Sequence, residues 1–310
     1  MSAKDNAWGP AHEIGHIHQL AIDWPSSTES SNNLFSNFIL YKLGKYCSRG
    51  TELNFPKAAD NRTTNSEGNI TGMTLSEAHC VLNRPWCNFG SNYQGENTEL
   101  HMRMNWQLWN YYHRCGHKTD FWQRLFKLMR ENRTSSNNPG VKQLLFARMA
   151  SEAAQEDLTE FFEMWGFFVT VDTQIDQYGS YQYTVTKEMI ENAKKAMAKY
   201  PKKAKPFYYL EDRKKGDIGL DTTPPDVGHY TQFQRIRPIT KDIKGNINGR
   251  EVSITNGDEA VAFELREKDA NGKLLYFSTF IKFEVPLTVS LTYAKLYAVQ
   301  ADGKRILLEE

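Results

Sequence analysis

The sequence predicts an α+β multidomain protein: a mainly α-helical portion over residues 1–212, a linker over 213–228, and a small antiparallel β-sandwich of immunoglobulin-like type over 229–310. Three observations carry that expectation. Apolar residues recur at helical spacing through the first two thirds of the chain. The stretch RKKGDIGLDTTPPDVG, dense in Gly, Pro and charge, then interrupts them, and beyond it the apolar period falls to two. A chain of 310 residues is long enough to bury a full core, and 40% hydrophobic with 24% charged residues is an ordinary globular composition.

In the helical portion, TELHMRMNWQLWNYYHRC carries Leu100, Met104, Leu108 and Tyr111 or Tyr112 on one face, and DFWQRLFKLMREN repeats the pattern at Phe121, Leu125 and Leu128. GVKQLLFARMASEAA and QEDLTEFFEMWG extend it, the second with Asp157 and Glu160 in its first turn, where the helix dipole favours acids. TKEMIENAKKAMAKYPKKAKP reads as a Lys-rich helix stopped by Pro201, its charge run a solvated face. After the linker, EVSIT, EAVAFELRE, KLLYFSTFIKFEV, LTVSLTYA and AKLYAVQ alternate, parted by the turn signals Asn256-Gly257-Asp258 and Asp269-Ala270-Asn271-Gly272.

Bulk properties narrow the function. A net charge of +1 offers no electrostatic footprint for nucleic acid or an anionic membrane. No apolar run approaches the ~20 residues that span a bilayer. The start, MSAKDNAWGP, lacks the apolar stretch of a signal peptide. The 7 Trp, 15 Tyr and 17 Phe are read first as core filling, with sugar-binding clefts as the second use of such rings.

The stretch WGPAHEIGHIHQLAIDWP carries the chemistry. Gly9-Pro10 opens a helix on which His12 and His16 project within about 40° of each other. Gln19 and Leu20 extend that face and Glu13 sits on its flank. Ile14, Ile17, His18 and Ala21 fall opposite, so one face is expected to pack and the other to line a cleft. Gly15 leaves room beside the histidines for another backbone or a ligand. Two imidazoles one turn apart both reach one Zn²⁺ at ~2.0–2.1 Å, and a glutamate between them takes a proton from water that zinc has made acidic.

A motif with three fixed letters recurs by chance, so a third ligand matters. Pro25 ends the first helix, and SSTESSNNLFSNFILYKLG begins a second, with Leu34, Phe35, Phe38, Ile39 and Lys42/Leu43 as its apolar face and Gly44 as C-cap. Glu29 lies in its first turn. An antiparallel return brings that carboxylate beside His12 and His16, giving a His₂Glu set with one position open. Ser26 and Glu29 also form a capping box, but a glutamate at this distance behind a histidine pair is read as the ligand. Asn32 and Asn33, one turn along, are candidate outer partners.

HEIGHIHQ followed by W…TESSNNLFS resembles the enhancin-like, mucin-degrading zinc metallopeptidases of the gluzincin type, and QEDLTEFFEMWGFFVT resembles the same family again. The likeness covers about residues 6–205. It implies an α-helical gluzincin-type catalytic portion with His12, His16 and Glu29 as metal ligands, Glu13 as catalytic base and Zn²⁺ as the cofactor. It further implies a secreted or surface-attached endopeptidase acting on O-glycosylated, mucin-type glycoproteins. A gluzincin usually has a mixed subdomain ahead of the active-site helix. Only eleven residues precede His12, so the sequence is expected to be the C-terminal portion of a longer protein.

Other residues carry less. Tyr93, His101, His79 and Tyr112 are the donors considered for a developing oxyanion, each read first as structural and none assigned a catalytic role. Cys47, Cys80, Cys87 and Cys115 form no C-x-x-C pair. One or two disulfides, or buried thiols, are expected rather than a second metal site with His79, His113 and His117. Asn61, Asn69 and Asn132 match the N-glycosylation pattern, which matters only in a eukaryotic secretory route. Two other classes stay open: a non-catalytic glycoprotein-binding protein that keeps the fold, and a structural helical protein with a chance motif.

Overall fold

The start of the chain holds three helices, α1 (Trp8–His18), α2 (Thr28–Ser31) and α3 (Asn33–Lys42), and α1 stops at His18, short of the Pro25 expected to end it. The computed structural model describes residues 7–19, 22–25, 27–43, 63–64, 70–71, 104–114, 116–202, 239–260, 262–278, 281–300 and 304–308. The helix expected from Ser26 onward is therefore broken at Asn32, and its expected C-cap Gly44 lies outside the described residues. α1 packs through its smallest side chains. Ala11 and Gly15 are buried, and a Cβ on Gly15 would stand 2.7 Å from the backbone oxygen of Asn32. Ile14 and Ile17, expected on the packed side, are 53% and 69% exposed. The correction has a steric cause: the helices approach most closely where no bulky side chain intervenes, which turns the isoleucines outward.

Two short strands follow, β1 (Thr63–Thr64) and β2 (Ile70–Thr71). The helical body then builds from residues 104–108, which are α-helical and run on as a π-helical stretch Trp109–Arg114, and from α4 (Phe121–Glu131), α5 (Pro139–Ala154), α6 (Thr159–Met164) and α7 (Lys187–Met197). Its core is aromatic: Trp24, Trp165, Tyr112, Phe121, Phe146, Phe162 and Phe167 are almost wholly buried. Pro139 sits in the first turn of α5, and the Asn138 side chain accepts from the Gly140 N–H, satisfying a donor the helix leaves free.

The helical portion also holds a hairpin that helical periodicity did not predict, β3 (Val171–Asp176) with β4 (Ser180–Val185), paired antiparallel from Val171↔Val185 to Asp176↔Ser180. Helix α5 pins it. Asn138 Nδ2 donates to the Thr184 carbonyl and Thr184 N–H donates to Asn138 Oδ1, both at 2.9 Å, and the Tyr183 hydroxyl donates to Gln143 Oε1. Gly140 permits this contact, since a Cβ there would meet the Thr184 oxygen at 2.3 Å.

The C-terminal strands are β5 (Lys244–Asn248), β6 (Glu251–Thr255), β7 (Ala262–Glu267), β8 (Leu274–Ser278), β9 (Lys282–Glu284), β10 (Ala294–Val299) and β11 (Arg305–Leu307). One sheet runs β11-β10-β7-β8 and the other β1-β2-β9-β6-β5. Val252, Ile254, Phe263, Leu265, Tyr276, Phe283, Leu296 and Ala298 fill one core shared by the two sheets. The pairings among β5–β11 are antiparallel, as expected, but the second sheet also recruits β2, which meets β9 in parallel at Ile70↔Phe283. Ala262, Phe277 and Val299 belong instead to the core of the helical body. The β11-β10-β7-β8 sheet is thus covered on both faces, which is why β7 is buried continuously from Ala262 to Arg266 instead of alternating.

Candidate metal centre

Helical spacing sets His12 and His16 edge to face, ring centroids 4.9 Å apart, with the Trp8 ring stacked on His12. The chain reverses between α1 and α2 and returns Glu29 to them. Glu29 Oε2 lies 3.4 Å from His12 Nε2 and 3.7 Å from His16 Nε2. One ligand atom from each residue lies within 4.8 Å of the other two, and among the described residues this is the cluster that offers three His, Cys, Asp or Glu ligands. Ligands ~2.0–2.1 Å from a tetrahedral zinc stand about 3.4 Å from one another, so the donor set and its spacing fit a divalent ion. The side chains of His12, His16 and Glu29 are 16%, 29% and 12% exposed, walled yet open to solvent. Glu13, one residue along from His12, is exposed.

Carboxamides surround the rings. Asn33 Nδ2 donates to the Glu29 carbonyl at 2.9 Å, so Asn33 Oδ1 faces His12 Nδ1 at 2.7 Å and accepts its proton. The His12 Nε2 lone pair is then directed at the cluster. Asn32 Nδ2 lies 3.0 Å from His12 Nε2 and 2.9 Å from His16 Nε2, while its Oδ1 is buried with no hydrogen-bond partner among the described residues. A cation would take up the same two lone pairs that Asn32 caps. Gln19 Nε2 sits 3.1 Å from His16 Nδ1, and Gln19 Oε1 accepts from the Ser31 hydroxyl at 3.2 Å. Nearby, burial pushes the Asp23 carboxyl above its ordinary pKa, against the hydrogen bond it accepts from Thr28.

The hairpin supplies a residue that sequence reading missed. The Tyr178 hydroxyl donates to Glu29 Oε1 at 2.7 Å, so the two carboxylate oxygens divide their partners, Oε2 towards the histidines and Oε1 towards the tyrosine. Tyr178 is 77% exposed and holds φ +53° at the tip between β3 and β4. The available signal was the Tyr178-Gly179 pair between two alternating runs, VDTQID and SYQYTV.

The other candidates separate. Tyr112 is buried and donates to Glu156 at 2.7 Å; burial and then the Glu156 charge hold its pKa well above the ordinary value, which marks a structural role. His113 stacks on Trp109 at 4.0 Å and His117 on Tyr111 at 4.1 Å. Tyr93, His79, His101 and the four cysteines lie outside the described residues. The same is true of Ser26, and the N-cap of α2, Ser27, makes no side-chain cap bond.

The chain is similar to a solved metallopeptidase in complex with Tn antigen, at 56% identity and TM-score 0.79, covering 99% of this chain and 55% of that one. It is similar also to a metallopeptidase from Bacteroides thetaiotaomicron, at 57% identity and TM-score 0.79, covering 99% and 50%. A TRPM8 channel-associated factor homolog of Xenopus laevis is 27% identical over 171 residues, 52% of this chain and 15% of that protein. The chain therefore spans about half the length of the solved relatives and a smaller part of the other. Residues 242–307 match the Peptidase M60 C-terminal domain. Residues 1–166 match Peptidase M60, enhancin and enhancin-like, and with more than half of its length in that match the chain belongs to this metallopeptidase family.

Proposed function

We propose that the protein is a secreted or surface-attached zinc endopeptidase that hydrolyses peptide bonds in O-glycosylated, mucin-type glycoproteins, with His12, His16 and Glu29 holding the metal and Glu13 acting as catalytic base. The observation that carries this reading is the approach of one imidazole nitrogen each from His12 and His16 and a Glu29 carboxylate oxygen to within 4.8 Å of one another. Two imidazole nitrogens and one carboxylate oxygen form the donor set of a hydrolytic zinc site, with a position left for a reactant. When bound, Zn²⁺ supplies a Lewis acid that polarises a carbonyl and acidifies water. Asn33 fixes the His12 tautomer through Nδ1, and Tyr178 holds Glu29 Oε1 so that Oε2 stays with the histidines. Glu13, on the exposed flank of α1, accepts the proton of the attacking water at its carboxylate and returns it to the leaving amine.

The substrate class is supported by the relative whose complex contains Tn antigen and by the motifs shared with the enhancin-like family. A glycan adds hydroxyls and apolar ring faces to what a bare peptide offers, and binding energy from such non-reacting parts raises turnover at the scissile bond. Matched peptides with and without an O-glycan test this. The protein should cleave the glycopeptide at least about tenfold faster, and enzymatic trimming of the sugar should slow it. Equal rates would leave a general metallopeptidase, and glycopeptide binding without cleavage would leave a non-catalytic binder. We further read residues 229–310 as an immunoglobulin-like accessory unit beyond a 213–228 linker. A fragment 229–310 without a β-type circular dichroism spectrum would count against it.

A further inference from the structure

We infer that Gln19 is the positioning residue for His16, and that its side-chain amide presents Oε1, not Nε2, to the imidazole whenever the metal is bound. The inference rests on the reading of His16 as a ligand. Gln19 is 1% exposed, lies one turn beyond His16 on α1, and reaches His16 Nδ1 at 3.1 Å and the Ser31 hydroxyl at 3.2 Å. A histidine that gives its Nε2 lone pair to a cation is neutral and carries its proton on Nδ1. With Gln19 Nε2 against Nδ1, two donors would face each other. An amide donating to Nδ1 instead selects the other tautomer, whose Nε2 proton would face the Asn32 Nδ2 donor at 2.9 Å, with Glu29 Oε2 at 3.7 Å. The two states exclude one another, and the amide decides between them.

His12 shows what the competent arrangement looks like. Its partner Asn33 cannot reverse without turning Oδ1 onto the Glu29 carbonyl, which accepts and never donates. Gln19 has no such lock. Its far partner is the Ser31 hydroxyl, which donates or accepts equally well, so a half-turn of the amide loses no hydrogen bond. Oε1 then accepts from His16 Nδ1–H, and Nε2 donates to Ser31 Oγ. Ser31 is buried in α2, two residues after Glu29. The reversed amide thus joins the helix that bears both histidines to the turn that bears the third ligand. Both rings are held by neutral carboxamides where metal-site histidines often face carboxylates.

Zinc affinity, measured by competition with a chromophoric chelator on the whole chain, tests this without requiring activity. His16→Ala should abolish binding. Gln19→Leu should weaken it ~10–100-fold, the usual cost of losing an outer partner, and Gln19→Glu, which can only accept from Nδ1–H, should restore or exceed wild-type affinity. A role confined to packing would give Leu and Glu variants whose zinc affinities match, whatever their melting temperatures. Wild-type affinity in Gln19→Leu, or equal weakening in both variants, overturns the inference while leaving the site intact. Full zinc binding in His16→Ala takes down the ligand reading and this inference together. Should Gln19→Leu not fold, the ¹⁵N imidazole spectrum of zinc-loaded wild type decides: a protonated His16 Nδ1 supports the reversed amide, and an unprotonated one overturns it.

Discussion

Two glutamates flank the histidine pair, and their surroundings suit different duties. Glu29 is 12% exposed, shares one oxygen between the histidines and gives the other to Tyr178, whereas Glu13 stays exposed on the flank of α1. Glu13→Gln should therefore keep its zinc and lower kcat ~10²–10⁴-fold, the range lost with a positioned general base. Zinc loss in that variant, seen by elemental analysis, would show that the roles of Glu13 and Glu29 are exchanged. Much of this cluster was legible in the sequence. A spacing of four residues places two side chains on one helical face, and the break between the two helical runs, marked in the sequence by Pro25, allows the return that brings Glu29 back. Tyr178 was not legible, because its contact with Glu29 spans 149 residues and depends on how the hairpin sits on α5. The orientation of Gln19 was equally hidden, since a proton's place on an imidazole depends on what lies opposite.

At the scale of elements, the joint between α1 and the α2–α3 corner holds the site together. Gly15 has no side chain where the Asn32 backbone presses in, and a Cβ 2.7 Å from that oxygen cannot be accommodated by a rotamer change. Gly15→Ala should push the corner away, and with it Glu29, Asn32 and Asn33. We expect a loss of about 1–3 kcal/mol in denaturant titrations together with weaker zinc binding. Alanine is the better helix former by ~1 kcal/mol, so a variant that is more stable and binds zinc normally would show that the contact does not matter. The sequence located this glycine correctly and the packed face wrongly. An amphipathic reading gives Ile14 and Ile17 the core by hydrophobicity, while the fold chose close approach at Ala11 and Gly15. The hairpin was missed for a related reason: its period-two pattern is short and lies between helices whose longer periodicity governed the reading.

Across the whole molecule, the change of period was visible in the sequence, but the contacts between the helical body and the C-terminal strands were not, and the expected 213–228 linker lies outside the described residues. Ala262, Phe277 and Val299 complete the helical core, and Arg305 lies 3.9 Å from Glu160 of α6. At this junction Glu264 is fully buried between Arg266 and Arg305. Burial alone would raise its carboxyl pKa; the hydrogen bonds and charges of Arg266 and Arg305 outweigh that and hold it below the ordinary 4.5. A depressed pKa contributes stability that is present above the unfolded value and lost as pH falls through the folded one. Urea titrations should accordingly show wild-type stability falling below the ordinary 4.5. Glu264→Gln should lose about 3–5 kcal/mol at neutral pH, since it removes the buried negative charge between two arginines, and should lack that part of the acid dependence. A neutral-pH loss under about 1 kcal/mol would mean that solvent relaxes the cluster.

The proposal that His12, His16 and Glu29 hold one Zn²⁺ underlies every role assigned around the histidine pair, and metal content after exhaustive dialysis measures it most directly. Wild-type protein and Glu13→Gln should each return about one zinc per chain, while His16→Ala and Glu29→Ala should return close to none. Full zinc occupancy in His16→Ala and Glu29→Ala would contradict the site.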